Sequence, residues 1–417
     1  MSDNSSPVTA PPKVARVPGS KSLTQRALIA AALARDNSFV SNPLISEDTN
    51  YLMEGLRMLG AQIVSVSGGF YINGTAGKLA NTGRQIFLGN NGTALRFLTA
   101  LVCLGDGRYI LTGEKRLCER PVGPLVEALQ KMGVEITCAN NCPPVTVDAG
   151  GLAGGKIILT DVESSQYVSA LLLCAPYTRQ GIELTLSGRV SSLPYIDLTL
   201  AVMRDFGVKI ERQKNKYIAQ GEKCYQGSEY RVEGDVSSAS YFFLAAALLQ
   251  RPIRVMGINR ASCQGDIRLL EILEKLGCHV QSQEEWVEVT GNILARGDFT
   301  FDLNDMPDMV PTLAVLAAFR HGKTTITNVE HLRIKESNRL AAMAAELQRA
   351  GIKAEETADG LIINGGKMQP ADIQTYNDHR IAMSFAIASL VAPCLKIADK
   401  KCVNKSFPGF WEELAKI

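Results

Sequence analysis

Residues 52–66 read LMEGLRMLGAQIVSV, a helical pattern that ends at a glycine and continues as an alternating strand. Glycine just past a helix end is typical of a left-handed C-cap. The pattern recurs at 125–139, 198–212, 269–283 and 343–357. Its glycines are Gly60, Gly133, Gly207, Gly277 and Gly351, with separations of 73, 74, 70 and 74 residues. This regular spacing predicts a repeated unit of about 70 residues.

A second set of helices alternates with the first and is strongly apolar beyond a polar first turn. These helices are predicted within residues 18–34, 89–104, 161–175, 234–249, 304–319 and 377–392. Helices apolar on all sides are buried on nearly all sides. The sixth amphipathic helix is FPGFWEELAKI, residues 407–417. We therefore predict an α/β chain of six βαβαββ units, and we expect the N-terminal segment to close the sixth.

Six units divide most simply into two domains of three. We expect one domain to comprise residues 21–233 and the other residues 1–20 with 234–417. Each would bury its apolar helices at the centre and turn its sheets outward. The chain would cross twice between the domains, and these crossings would serve as a hinge.

The 417 residues carry 46% hydrophobic and 21% charged residues and a net charge of +2, as expected of an ordinary globular protein. A DNA clamp, the non-enzymatic alternative, needs a larger basic excess.

No uncharged apolar run approaches the ~18 residues that span a membrane. The N-terminus MSDNSSPVTAPP is interpreted as a frayed tail rather than a targeting signal. The ten cysteines, which lack paired spacing, are interpreted as reduced core thiols of a cytoplasmic protein. The four histidines lack ligand spacing, so we expect no metal site.

Cations stand at several predicted helix starts, although a helix N-terminus is already electropositive. Lys21 and Arg26 are the first case, and Lys335 and Arg339, spaced i,i+4, are expected on one helix face. Singly, these residues have plainer interpretations: a Ser or Asn there is usually an N-cap, and an isolated Lys or Arg is usually solvated. Together they predict a multiply charged anion in a cleft to which the helix starts point.

Nine motifs carry a resemblance to a known family from about residue 14 to the C-terminus. In order they are PGSKSLTQRAL, LGNNGTALRFL, ERPVGPLVEAL, SSQYVSALL, PYIDLTL, GDVSSASYF, LRIKESNRL, TYNDHRIAM and KSFPGFWEEL. They resemble the 5-enolpyruvylshikimate-3-phosphate (EPSP) synthase family, a transferase family of the shikimate pathway to chorismate and the aromatic amino acids. The resemblance implies a two-domain inverse α/β barrel with the active site between the domains. It also implies a monomer without metal or organic cofactor, and a target of glyphosate.

The resemblance implies two small-molecule substrates, shikimate 3-phosphate and phosphoenolpyruvate, and no nucleic-acid or membrane partner. Shikimate 3-phosphate would contact Ser22, Arg26, Ser164, Ser165, Gln166, Ser192, Tyr195, Asp308, His331 and Lys335. Phosphoenolpyruvate would contact Lys21, Asn90, Gly92, Arg120, Gln166, Arg339, Arg380 and Lys405. Proton transfer is assigned to Lys21, Asp308, Glu336 and His379, without deciding which group moves which proton.

The chain departs from the family pattern at three positions. His331 stands where Asn is often found, Phe97 where Pro is common in some members, and Asn338 where Asp is common. Phe97 and Asn91 lie near the expected phosphoenolpyruvate pocket and bear on inhibitor sensitivity. Gly92 is the small residue that leaves room for glyphosate in the family, so we expect inhibition that competes with phosphoenolpyruvate.

Two related activities remain as alternatives. One is enolpyruvyl transfer to UDP-N-acetylglucosamine. Against it, that family typically has Lys-Asn where this chain has Lys21-Ser22, and Cys118 is not at the usual spacing before Arg120. The other is transfer to another cyclic alcohol, since the sequence specifies the anion site better than the ring.

Overall fold

The computed structural model describes residues 11–81 and 83–417, so the predicted frayed tail lies almost wholly outside the described residues. In this part of the chain the α-helices are α1 (Lys21–Leu33), α2 (Glu47–Met58), α3 (Gly92–Val102), α4 (Gly123–Lys131), α5 (Ser165–Cys174), α6 (Pro194–Asp205), α7 (Val236–Leu249), α8 (Leu269–Lys275), α9 (Val310–Ala318), α10 (Arg339–Arg349), α11 (His379–Val391) and α12 (Phe410–Leu414). Six short 3-10 turns join them at Leu117–Glu119, Ala175–Tyr177, Gly265–Arg268, Pro307–Met309, Glu330–Ile334 and Lys401–Lys405.

The strands of the described residues fall between these helices. They are β1 (Lys13–Arg16), β2 (Asn37–Ser41), β3 (Gln62–Val66), β4 (Gly69–Asn73), β5 (Gln85–Phe87), β6 (Asp106–Thr112), β7 (Glu135–Ala139), β8 (Cys142–Gly150), β9 (Gly155–Val162), β10 (Ile182–Val190), β11 (Glu211–Gln213), β12 (Lys216–Ala219), β13 (Glu229–Arg231), β14 (Pro252–Met256), β15 (His279–Gln283), β16 (Trp286–Thr290), β17 (Phe299–Asp302), β18 (Lys323–Thr327), β19 (Lys353–Glu356), β20 (Leu361–Asn364), β21 (Ala371–Ile373) and β22 (Leu395–Ile397).

Five four-stranded sheets repeat one strand order. In the sheet β5-β6-β8-β7 the first two strands are parallel and the last two form an antiparallel hairpin. The sheets built from β9–β12 and from β17–β20 have the same order. The five glycines of the repeated pattern all have positive φ, between +79° and +102°. The predicted left-handed caps are therefore confirmed, and each turns the chain from a helix into the hairpin that follows.

Two of the sheets exchange their edge strands across the chain. β13 pairs in parallel with β2, and β1 pairs in parallel with β14. The expectation that the N-terminal segment closes the sixth unit is therefore wrong, because β1 extends the sheet that follows α7. The last unit consists of β21, α11, β22 and α12, and in the described residues it lacks the closing hairpin of the other five.

The buried apolar side chains form two separate clusters. One runs from Leu23 to Val232, and the other combines Ala15 with residues from Val236 to Phe410. Helices α1, α3 and α5 pack together in the first cluster, and α7, α9 and α11 pack together in the second. The apolar helices occupy the two centres because they carry apolar side chains all round. Among the described residues, no helix combines the length and apolar character that a membrane span requires.

The cysteines are less uniformly buried than the sequence suggested. All ten are free thiols, and Cys103, Cys174, Cys278 and Cys402 are buried as expected. Cys224 and Cys263 are exposed, so the interpretation of the set as core thiols is wrong for these two. Both lie in segments between regular elements, where no apolar periodicity fixes their burial.

Candidate functional site

The polar first turns of α1, α3, α5, α6 and α11 converge on one cavity, together with the segments before α9 and α10. Fifteen of the residues predicted from the sequence line it: Lys21, Ser22, Arg26, Gly92, Arg120, Ser164, Ser165, Gln166, Ser192, Tyr195, Asp308, Lys335, Glu336, Arg339 and Arg380. Asp48, Asn91, Thr93 and Pro307 complete the lining. Six cations face three carboxylates here, so the cavity carries an excess of positive charge.

Four predicted residues lie behind this lining rather than in it. The Asn90 carbonyl accepts hydrogen bonds from Lys405 Nζ at 2.8 Å and from Arg120 Nη1 at 3.3 Å. Both nitrogens of His331 and of His379 are buried without a hydrogen-bond partner among the described residues. Burial, together with neighbouring cations, lowers the pKa of His331 to about 3 and that of His379 well below its usual value. Both histidines are therefore neutral at pH 7.

The helix starts use ordinary N-caps. Ser20 caps α1, Asn91 caps α3 and Ser164 caps α5, each accepting a hydrogen bond from a backbone N–H of the first turn. The plain N-cap interpretation thus holds for Ser164, whose Oγ lies 3.4 Å from the Gln166 nitrogen. Asn91 caps α3 and leaves Gly92 at the first helical position, so Asn90 lies just outside the helix.

Lys335 and Arg339 do not share a helix face, so that expectation is wrong. Helix α10 begins only at Arg339, because the Asn338 side chain caps it by accepting from the Ala341 N–H at 3.2 Å. Lys335 lies before this cap in extended backbone, with φ −88° and ψ −157°. Both side chains nevertheless line the cavity.

Arg339 is the centre of the charge network. Its guanidinium is 1% exposed and donates to Asp378 Oδ2, Asp308 Oδ1 and Glu336 Oε2, each at 2.8 Å. Burial opposes the charge, but the three carboxylates outweigh it and raise the pKa of Arg339. Only the planar guanidinium of arginine has enough N–H groups in a fixed geometry to bind three carboxylates at once, so lysine could not replace Arg339 here.

Asp308 joins the same network from the segment before α9. Its second oxygen accepts from Arg380 Nη2 at 2.5 Å. Burial alone would raise the pKa of Asp308, but Arg380, Arg339 and Lys335 lower it below its usual range. Asp308 is therefore ionised, and it competes with any anion for the same two guanidinium groups.

Glu336 and Asp48 occupy the opposite side of the network. Glu336 lies 3.8 Å from Arg120 and 4.0 Å from Lys405, and with Arg339 these cations lower its pKa despite burial. Asp48 lies 3.3 Å from Lys21 Nζ and 3.7 Å from Lys405 Nζ. These carboxylates hold lysine and arginine side chains around a common centre.

Three cations in the cavity, Lys335, Arg120 and Arg26, have weakened affinity for protons. Burial, assisted by Arg339 and Arg120, lowers the pKa of Lys335 to about 8, although Asp308 and Glu336 oppose the shift. Burial also lowers the pKa of Arg120 and that of Arg26, each to about 10. An amine with a pKa near 8 can bind an anion or exchange a proton close to neutral pH.

One side of the cavity, here called the serine side, is formed by Ser22, Ser164, Ser165 and Ser192. Hydrogen bonds and backbone geometry constrain the residues around it. Arg26 is 1% exposed and donates to Thr199 Oγ1 at 2.8 Å and to the Tyr195 carbonyl at 3.0 Å. Ser192 has φ +60°, a left-handed conformation that a non-glycine residue adopts only where its surroundings enforce it. Asn304 provides that constraint, since its carbonyl accepts from the Ser192 N–H at 3.0 Å.

Gly92 permits a close approach of two guanidinium groups. A Cβ atom added there would lie 2.5 Å from both Arg120 Cζ and Arg96 Nη1. Arg96 itself donates to the Gly92 carbonyl at 2.9 Å and to Gln166 Oε1 at 3.2 Å. Phe97 is buried beneath the Arg26 guanidinium, which lies 5.2 Å from its ring centroid.

Sequence reasoning missed Asp48, Thr93, Arg96 and Asp266 as members of the site. Asp48 stands in the first turn of α2, where an acid is ordinary because of the helix dipole. Arg96 is a cation inside an otherwise apolar helix, and that anomaly was a usable signal. Asp266 is buried and hydrogen-bonded to Tyr195, but nothing near it in the sequence distinguishes it from a surface acid.

In the described part of the chain, no group of three or more His, Cys, Asp and Glu side chains is arranged to hold a metal ion. The polar chemistry of the cavity consists instead of guanidinium, ammonium, hydroxyl and carboxylate groups. This arrangement can bind polyanions and transfer protons between oxygen and carbon.

The chain is similar to proteins of known activity over almost its whole length. A family model described as EPSP synthase (3-phosphoshikimate 1-carboxyvinyltransferase) matches residues 7–414. A 3-phosphoshikimate 1-carboxyvinyltransferase from Nostoc punctiforme is 41% identical over 95% of this chain and 94% of its own. One from Escherichia coli O6:H1 is 42% identical over 96% and 95%. The solved EPSP synthase of Acinetobacter baumannii has a TM-score of 0.79 and 26% identity over 98% of this chain and 97% of that one.

Proposed function

The chain belongs to the EPSP synthase family, and we propose that its cavity transfers the enolpyruvyl group of phosphoenolpyruvate to the 5-hydroxyl of shikimate 3-phosphate. The observation that carries this proposal is the gathering of six cations and three carboxylates in one cavity, on which several helix starts converge. Two polyanionic substrates need such a site, because fixed cations neutralise phosphate and carboxylate groups without reorganising. Transfer to UDP-N-acetylglucosamine is set aside, since the relatives described above carry the shikimate name.

In the proposed reaction, the 5-hydroxyl oxygen attacks C2 of phosphoenolpyruvate. The hydroxyl loses its proton, and C3 gains one to give a tetrahedral intermediate. The C2–phosphate bond then breaks and C3 loses a proton, which releases phosphate and the enolpyruvyl ether. Phosphate gains charge in this second step, and C2 gains cationic character. Arginine and lysine groups stabilise the first, and carboxylates stabilise the second.

We assign the ring substrate to the serine side of the cavity. Ser164, Ser165, Ser192 and Lys335 would bind its 3-phosphate, and Arg26 with Ser22 its carboxylate. Gln166, Tyr195 and His331 would contact the ring. Support comes from the serine hydroxyl groups and the Lys335 ammonium, which line the same cavity. His331 itself does not line the cavity, and both of its ring nitrogens are buried without a hydrogen-bond partner among the described residues.

We assign phosphoenolpyruvate to the cationic side, formed by Lys21, Arg120, Arg339, Arg380 and Lys405 with Gln166 and the backbone of Asn90 and Gly92. Arg339 and Arg380 now pair with Asp308 at 2.8 Å and 2.5 Å. When they turn to the substrate anion, Asp308 loses its counter-charges and becomes a stronger base. The base that accepts the 5-hydroxyl proton would thus be activated by binding of the other substrate. Glu336, Lys21 and His379 remain candidates for proton transfer at C3.

Phosphate release on mixing shikimate 3-phosphate with phosphoenolpyruvate tests the proposal. Native protein is expected to release phosphate, and Lys21→Met almost none, because the Lys21 ammonium is one of the cations that line the cavity. Lys156→Met, whose lysine is 81% exposed and pairs with Glu183 at 3.8 Å, is the matched control and should retain native activity. Absence of phosphate release by folded native protein would refute the function.

We further propose the inverse α/β barrel arrangement, with three units in residues 21–233 and three in residues 1–20 and 234–417. The two hydrophobic clusters and the exchanged edge strands support this division. The two halves would close on the substrates and expel water from the cavity. Monomeric state, cytoplasmic location and glyphosate sensitivity stay predictions from the sequence.

Arg116 offers a direct test of closure. Its guanidinium donates to the Lys335 carbonyl at 2.8 Å and to the Glu336 carbonyl at 3.2 Å, so it joins the first half to a cavity segment of the second. We expect Arg116→Ala to lower kcat/KM by about tenfold, the effect of a partly exposed charged hydrogen bond. Steady-state kinetics measure this, with Arg108→Ala as control for an exposed arginine paired with Asp148. Equal kcat/KM values in the two variants would contradict the role of Arg116.

A further inference from the structure

Asp266 is a buried carboxyl that no assignment above uses. It lies in the 3-10 turn Gly265–Arg268 and is 3% exposed. The Ser237 hydroxyl donates to its Oδ2, and the Tyr195 hydroxyl lies 3.3 Å from Oδ2 and 3.4 Å from Oδ1. Among the described residues, no lysine or arginine lies within ion-pair distance of it. A carboxyl that is buried without a counter-charge favours its protonated form.

Tyr195 connects this carboxyl to Asp308. Its hydroxyl oxygen lies 3.4 Å from Asp308 Oδ2, as well as within 3.4 Å of both Asp266 oxygens. A phenol has one proton, so it donates to one of the two carboxyl groups at a time. The result is a chain of polar groups that runs from Ser237 through Asp266 and Tyr195 to Asp308.

The contact that places Asp266 crosses between the two halves of the chain. A Cβ atom added at Gly265 would lie 2.6 Å from Pro194 Cβ, so the glycine allows this turn to pack on the first turn of α6. Tyr195 follows Pro194 directly. The close approach therefore brings a carboxyl of the second half onto a cavity residue of the first.

We propose that Asp266 is a positioning residue that decides where the Tyr195 hydroxyl points. When Asp266 holds a proton it donates to the Tyr195 oxygen, and the Tyr195 proton is directed at Asp308. When Asp266 is ionised, its carboxylate accepts a hydrogen bond from the Tyr195 hydroxyl. Asp308 then no longer receives a hydrogen bond from Tyr195. Asp308 is then the stronger base, since it also gains a negative neighbour. This inference rests on the proposed function, in which Asp308 accepts the proton of the 5-hydroxyl.

Charged and titratable groups surround Asp266 on several elements. They are Tyr195 of α6, Asp308 before α9, Arg380 of α11, Asp235 at the start of α7 and Lys21 of α1. Burial, followed by the charge of Asp308, raises the pKa of Asp266 to about 7, and Arg380 and Ser237 limit the shift. The change in Tyr195 orientation therefore falls in the neutral range.

The pH dependence of kcat tests the inference. Asp266→Asn presents an amide that donates to Tyr195 as the protonated acid does, so it fixes the low-pH arrangement. We expect native kcat to rise with pH through the neutral range, and the variant to lack the rise and fall about three- to tenfold below native at pH ~8. In a Tyr195→Phe background the same substitution should change kcat clearly less than in native protein, because the part of the effect that acts through the Tyr195 hydroxyl is absent. A native profile that is flat, or an equal effect in both backgrounds, would overturn the proposal.

Thermal stability gives a readout that needs no substrate. The native protein holds a proton on Asp266 up to pH ~7, whereas the unfolded chain loses it near pH ~4. Through this group native stability falls as pH rises across that window, and Asp266→Asn lacks this fall. The Tm of Asp266→Asn minus that of native protein should therefore grow between pH ~4 and ~7 and stay constant above. A constant difference over that range would refute a buried proton at Asp266.

Two controls separate the possible failures. Asp298→Asn removes an exposed carboxylate 3.5 Å from Lys323 Nζ, and its Tm difference should not grow over the window. Tyr195→Phe keeps the carboxyl but removes one hydroxyl donor, so its Tm should fall furthest below native above pH ~7. Tyr195→Phe replaces Asp266→Asn in this test if the latter does not fold. A Tm difference between Tyr195→Phe and native protein that does not change with pH would also refute the proposal. If native protein releases no phosphate, the proposed function fails, while the melting curves still decide whether Asp266 is protonated.

Discussion

Replacing Asp308 by asparagine is expected to lower kcat about a thousandfold, while KM for phosphoenolpyruvate stays the same or falls. Asparagine has the same shape but cannot accept the 5-hydroxyl proton. The charge it removes now pairs with Arg339 at 2.8 Å and Arg380 at 2.5 Å and competes with the substrate for them. Steady-state kinetics with both substrates varied would separate the two effects. Inorganic phosphate should also inhibit the variant more strongly, because both guanidinium groups are released.

The matched control is Asp305→Asn. Asp305 lies on the same segment and pairs with Arg268 at 3.1 Å, but it is 37% exposed and does not line the cavity. We expect native kcat for this variant. If Asp308→Asn keeps a kcat within a few-fold of native, Asp308 is not the base, and a large rise in KM for phosphoenolpyruvate would show that its charge supports binding instead.

Replacing Arg339 by methionine is expected to abolish activity and to cost about 3–5 kcal/mol of unfolding free energy. The substitution leaves Asp378, Asp308 and Glu336 without their shared counter-charge, and Asp378 is fully buried. Removing one partner of a buried ion pair is costly because the remaining charge stays desolvated. Urea denaturation at neutral pH measures the loss.

The pH dependence of that loss has a defined sign. The lowered pKa values of Asp308 and Glu336 contribute native stability above their usual pKa of about 4, and this contribution is lost as pH falls through the lowered values. In Arg339→Met these carboxyls take up protons more readily, so the stability gap to native protein should narrow in acid. Arg260→Met, which breaks an exposed pair with Glu274 at 2.6 Å, should cost about 0–1 kcal/mol. A loss of similar size in both variants would contradict the central role of Arg339.

Local signals predicted the repeated elements well. The glycines after the helices predicted a left-handed conformation, because glycine is the residue that adopts positive φ most easily. Helices such as α7 are apolar on every side, so their burial follows from their composition. Strand exchange left no such signal. Nothing in residues 13–16 or 229–231 specifies a partner more than 180 positions away, because parallel pairing depends on where neighbouring elements lie.

Lys21, Arg339 and Arg380 were predictable because they stand in the first turns of helices, where the helix dipole disfavours a cation. Two acids of the site were harder to find, since Asp48 and Asp266 occupy positions where acids are common. The prediction that Lys335 and Arg339 share a helix face was wrong because it assumed a helix through residues 335–339. Helix α10 begins only at Arg339, and the Asn338 side chain is its N-cap. Asn338, three residues after Lys335, was visible in the sequence as a possible N-cap, and an N-cap marks where a helix begins.

The exchange of β1 and β13 also constrains how the protein is made. The first strand leaves the ribosome early, yet its partner Ile253 is synthesised 240 positions after Lys13. At translation rates of roughly 5–20 residues per second, the strand waits on the order of 10–50 seconds with an unpaired edge. Its four residues include Lys13 and Arg16, and such charges discourage pairing with other nascent chains in that interval.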